Sequence, residues 1–134
     1  MNLIRLSIIC LLALVSCQSG GPEGPNKELH DEIMVVHDEV MPEMSTIHRI
    51  KKRLRKFDDD GNLEVKTMIQ RLDDADEAMM SWMADYKRPK GADSLSMIYL
   101  HNEKDKISEV SRLMKSAIKD GNELAGRLEA QGDK

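Results

Sequence analysis

Leu63 to Tyr86 reads LEVKTMIQRLDDADEAMMSWMADY. Within it Val65, Met68, Leu72, Ala75, Met79, Trp82 and Tyr86 recur at steps of three and four residues. An α-helix turns once every 3.6 residues, so these side chains form one apolar stripe. The Lys, Arg, Asp and Glu between them fall on the remaining faces, where water solvates them. A half-buried strand would alternate by twos, and no useful length of the chain does so. The segment is an amphipathic helix that must cover its stripe with others like it.

The flanks supply them. Upstream, Asn26 as N-cap opens a helix to about Phe57, carrying Leu29, Ile33, Val36, Val40, Met44, Ile47 and Leu54. Pro42 lies within it, lacks an N–H for the Asp38 carbonyl, and should bend it. DDDGN (Asp58 to Asn62) is a turn. As a calcium loop it fails: with Gly61 at the sixth position, Lys56 stands first and Thr67 replaces the terminal glutamate. Downstream, KRPKGA (Lys87 to Ala92) ends the second helix. Asp93 or Ser94 caps a third, which runs to about Glu129 on Leu100, Ile107, Val110, Met114, Ala117, Leu124 and Leu128. Gly121 falls on that seam, disfavours helix by up to ~1 kcal/mol relative to alanine, and marks either a kink or a close approach.

Short connections make successive helices antiparallel. The expected fold is all-α: an up-down-up three-helix bundle over residues 26–134, or a four-helix variant if the last helix breaks at Asn102 or Gly121.

The chain begins differently. Met1 to Arg5 is positively charged, and Leu6 to Val15 (LSIICLLALV) is apolar but well short of the ~20 residues that span a bilayer. Leu14, Val15, Ser16 and Cys17 follow as a group that resembles the lipobox of bacterial prolipoproteins. The resemblance implies that residues 1–16 are a removed signal peptide. It also implies that Cys17 carries a diacylglyceryl group on sulfur and a further palmitate-type chain on its new amine. Several acyl chains hold a protein on a membrane where one does so marginally. The alternative is an ordinary cut nearby that leaves Cys17 a free thiol. Gln18, in place of an aspartate after the cysteine, points to the outer membrane and the periplasmic side. Residues 17–25, with QSGGPEGP after the cysteine, read as a tether.

Composition narrows the function. Losing Arg5 with the leader takes the net charge from −4 to −5, which opposes nucleic-acid binding. The four aromatics Phe57, Trp82, Tyr86 and Tyr99 are few for a stacking platform. Cys10 and Cys17 are the only cysteines, so the exported part keeps no thiol for a disulfide, a nucleophile or a thiolate metal site. Ser94, Ser96, Ser108 and Ser111 lack the glycine context of a nucleophile elbow. Phosphate-binding glycine loops and H-E-x-x-H are missing. The chain is not expected to be an enzyme.

One cluster invites more. In Met34 to His48 (MVVHDEVMPEMSTIH) and just before it, His30, Met34, His37, Met41, Met44 and His48 share a strip roughly 80° wide beside the aliphatic seam. Thioether and imidazole suit Cu(I), and His37 with Met41, or Met44 with His48, stand one turn apart. Met79, Met80 and Met83 would complete the shell if they face this strip. The plainer reading comes first: methionine fills gaps in a bundle poor in aromatics, and boundary histidines meet carboxylates or solvent. pH sensing by the histidines is a further role. Haem ranks last, because no C-x-x-C-H is present and aromatics are scarce.

HDEVMPEM (His37 to Met44) and AMMSWMADY (Ala78 to Tyr86) are similar to segments of small helical lipoproteins of Bacteroidota, often labelled viral A-type inclusion proteins. The resemblance extends over signal, tether and helices, and implies an exported helical lipoprotein with no assigned activity. The matching positions are His37, Met41, Met44, Met79 and Met83. The expected function is a non-enzymatic binding module of the cell envelope, meeting an envelope protein or itself, with no cofactor. The alternative is periplasmic Cu(I) storage or handover.

Overall fold

A computed structural model of the chain describes residues 25–58, 61–91 and 93–132. The expected leader, Cys17 and most of the tether lie outside them. Every regular element among the described residues is helical: α1 (Pro25–Val40), α2 (Glu43–Leu54) continued by a 3₁₀ turn at Arg55–Phe57, α3 (Leu63–Asp85) and α4 (Ser94–Gly132). None of these helices is long and apolar enough to cross a membrane.

The break falls in the first helix and not in the last. α1 ends at Val40, where Met41 N–H still reaches the His37 carbonyl at 2.8 Å. Pro42 has no N–H to continue that ladder. Met44 and Ser45 then bond only three residues back, to Met41 and Pro42, before α2 resumes. The bend expected at Pro42 is thus a full interruption of the helix. α4 by contrast runs unbroken through Asn102 and Gly121, so the four-helix variant that would split it is not what forms.

The ends follow local chemistry. Asn26 is not the N-cap; α1 begins at Pro25, a residue suited to the first helical position. Asn26 is buried instead, and its Nδ2 donates to the Gly91 carbonyl at 2.5 Å, fastening the start of α1 to the segment after α3. Asn62 caps α3 by accepting from Val65 N–H, 3.2 Å, beside Gly61 at φ +135°. Asp93 caps α4 by accepting from Ser96 N–H at 2.7 Å.

Ion pairs fix the directions. Arg71 meets Asp120 at 3.0 Å and Arg127 meets Glu64, so α3 and α4 run antiparallel. Lys104 meets Glu32 at 2.6 Å, Lys115 meets Glu39 at 2.8 Å and Arg53 meets Glu129 at 2.8 Å, so α1 and α2 run along α4 in the same sense.

Between the helices lie the stripes read from the sequence, with additions that include Ala125 and Ser111 of α4. Ile50 fills the wide gap between Ile47 and Leu54. Glu103 occupies the seam between Leu100 and Ile107 and is only 3% exposed, its carboxylate held by Lys106 at 2.7 Å. Lys51 is buried and paired with Asp73. Val36, Met44, Tyr86 and Leu128 are half-buried at the edge of the core.

Candidate functional site

The strip of histidines and methionines on α1 and α2 is turned towards α3. At one end His30 Nδ1 lies 2.5 Å from the Tyr86 hydroxyl, with the rings stacked at 5.9 Å. Further along, the His37 ring packs on Trp82 at 5.7 Å, tilted by 36°. His48 Nε2 faces Asp76 at 3.8 Å. The α1–α2 partner rises in number as the α3 partner falls, as an antiparallel pair requires.

Burial pushes the His30 imidazole below its ordinary pKa, with the Arg88 charge adding to the effect. The ring nitrogen and the Tyr86 hydroxyl share a hydrogen bond. Burial raises the Tyr86 phenol in turn, helped by Tyr99. Tyr86 stacks on Trp82 at 5.0 Å and on Tyr99 at 6.4 Å, and Tyr99 accepts from Lys87 N–H at 2.8 Å. Three of the four aromatics, few as they are, therefore meet in one column with two histidines. Trp82 is buried, and its Nε1–H finds no acceptor among the described residues.

The six-membered strip does not stay together as one set. His48 is 61% exposed; its Nδ1–H donates to the Met44 carbonyl at 2.7 Å and its other nitrogen points to Asp76. His37 is different. Its side chain is 16% exposed, and Nδ1–H donates to Asp38 at 2.8 Å, which leaves the Nε2 lone pair without a partner among the described residues. Met41, Met44 and Met83 are half-buried against the core, Met34 is half-buried one turn before the His37 level, and Met79 is wholly buried. Met80 is exposed on the outer side of α3 and is not part of the group. Among the described residues no three or more His, Asp or Glu side chains gather as a metal cage.

A second feature lies on the opposite side of α3. α3 and α4 leave an open groove of about 820 Å³ between the start of one and the end of the other. Leu63, Met68 and Leu124 form its apolar floor, and the Arg71–Asp120 and Arg127–Glu64 pairs stand across it. Beyond Arg71 lies a smaller hollow of about 230 Å³, lined by Arg112 and Leu113. Leu63 is 74% exposed. The only sequence signals for this groove are Leu63 and Leu113, apolar residues that lie off the core stripes.

The chain matches no protein-family model, no curated protein and no solved structure.

Proposed function

We propose that the chain is a non-enzymatic, lipid-anchored binding module of the cell envelope. Its up-down-up three-helix bundle receives an amphipathic helix of another envelope protein in the α3–α4 groove. The groove carries this reading: an apolar floor with charges of both signs along its rim is the arrangement that takes a helix by its apolar face. The rim ion pairs sort partners by charge more than they add affinity.

Placement supports it. The tether would join at Pro25, beside Gly91, while Leu63 and Arg127 lie at the far end of the helices. A chain acylated at Cys17 and held by residues 18–24 would present the groove away from the lipid surface. Mass spectrometry of the protein taken from its membrane checks the anchor: a thioether-linked diacylglyceryl group at Cys17 is expected, and a bare sulfur or a retained leader would refute it.

The groove itself is tested with a photo-crosslinking residue at Thr67, in the groove, and at Val35, on the exposed outer side of α1. In living cells one defined envelope protein should be captured from Thr67 and not from Val35, and Leu63→Glu should abolish the capture. Equal capture at both sites, or indifference to Leu63→Glu, would exclude the groove as the docking face. A second reading, Cu(I) handling, is supported by the face that meets α3 and is independent of the groove.

A further inference from the structure

We propose that His37, Met41 and Met83 form a Cu(I) site at the seam between α1 and α3, with the Trp82 indole as its wall.

The register places these groups together. His37 against Trp82 and His48 against Asp76 bracket a stretch in which α1–α2 and α3 face each other. Met41 follows His37 by one turn, joined to it by the 2.8 Å bond from its N–H to the His37 carbonyl, and so projects to the same side. Met83 lies two turns beyond Asp76, on the face of α3 that Asp76 uses to meet His48, and it adjoins Trp82 in sequence. The ring contact of His37 with Trp82 then sets His37 at the level of Met83, the next residue of α3.

The chemistry selects the ion. With His37 Nδ1–H donated to Asp38, the Nε2 lone pair is the one available to an ion. Two thioethers and one imidazole make a soft, neutral, three-donor set, suited to monovalent d¹⁰ copper. Zinc would demand harder donors and a fourth ligand. The indole face attracts a cation placed over it. Methionine has three rotatable bonds, so both sulfurs can close on an ion without moving the helices. As filler alone these positions need only apolar volume. The uncommitted Nε2 of a half-buried imidazole beside them is what filler does not explain.

Trp82 is the only tryptophan of the chain, so it reports on its own surroundings. The full acylated chain, purified in detergent, is titrated anaerobically with Cu(I) against a chromophoric Cu(I) chelator while Trp82 emission is followed. The expected result is saturation at one Cu(I) per chain with quenching of Trp82. The volume-conserving double variant Met41→Leu, Met83→Leu should keep its thermal melt. It should bind Cu(I) more than about 100-fold more weakly, beyond the usual loss for an outer-shell partner. Met80→Leu, on the exposed side, should bind as the parent does. Unchanged Trp82 emission on Cu(I) addition, or parental affinity in a folded double variant, would overturn the site. Neither result bears on the α3–α4 groove.

Discussion

Gly121 of α4 lies against Ile50 of α2 so closely that a β-carbon on Gly121 would stand 2.9 Å from Ile50 Cγ2, and 3.3 Å from Leu72 Cδ1 on α3. At this glycine side chains of two other helices press on the α4 backbone. Ile50 is β-branched and fully buried, with few rotamers to retreat into.

Gly121→Ala should therefore destabilise the fold. Overpacking a core costs ~1–3 kcal/mol, against a helix-propensity gain of at most ~1 kcal/mol. Gly126, five residues on, has open space around the same position. Gly126→Ala should add up to ~1 kcal/mol of stability. Urea unfolding of the two variants reads the difference in sign; two stabilised variants would show that no close approach exists.

Lys51 is 7% exposed, and its ammonium is paired with Asp73, whose side chain is half open to water. Asp73→Ala leaves a buried cation without its partner and should cost about 1–3 kcal/mol, less than for a fully buried pair because solvent still reaches the site. Lys51→Met removes the charge together with its need for a partner and should stay within ~1 kcal/mol of the parent, or exceed it. Denaturant midpoints compare the two. A harmless Asp73→Ala would mean that the ammonium is solvated.

Burial of the His30 imidazole, with the Arg88 charge beside it, makes stability depend on pH. The folded protein holds the His30 pKa below the ordinary 6.5, so the unfolded chain takes up the proton first. This contribution is complete above pH 6.5 and declines as pH falls from there through the folded pKa. Thermal melts of the parent and of His30→Phe, measured at intervals from pH 8 to 5, should run in parallel above 6.5. Below it the parent should lose more. Parallel curves throughout would remove His30 as the titrating group.

Much of the fold is legible in the amino-acid order, because three-and-four spacing is a local property. The stripe Val65 to Trp82 follows from it, and the cap at Asp93 and the missing hydrogen bond at Pro42 follow from the chemistry of single residues. Ile50 was equally available: it stands three residues after Ile47 and four before Leu54. Glu103 was not, since a carboxylate on the seam reads as surface until Lys106 is seen to hold it. Gly121 shows the same limit, a kink and a close approach being indistinguishable without Ile50 in view.

The candidate site divides along the same line. Helical angle alone collects His30, His37, Met41 and His48 on one strip. Which residues of α3 they meet depends on the axial register of two helices, which no local pattern encodes. Tyr86, Trp82 and Asp76 therefore enter only with the structure, and with them the separation of His48 from His37. The α3–α4 groove is harder still, because an exposed Leu63 is ordinary on any protein surface.

The central claim is that the histidine and methionine face of the first helix is packed on α3 at the level of Trp82. Proton NMR of the folded chain tests it most directly, since a single tryptophan gives an unambiguous set of indole resonances. Nuclear Overhauser cross-peaks are predicted from the Trp82 ring to the His37 imidazole and to the Tyr86 ring, and none to His48. Indole cross-peaks that omit His37, or that include His48, would place a different face of the helix against α3 and contradict the account.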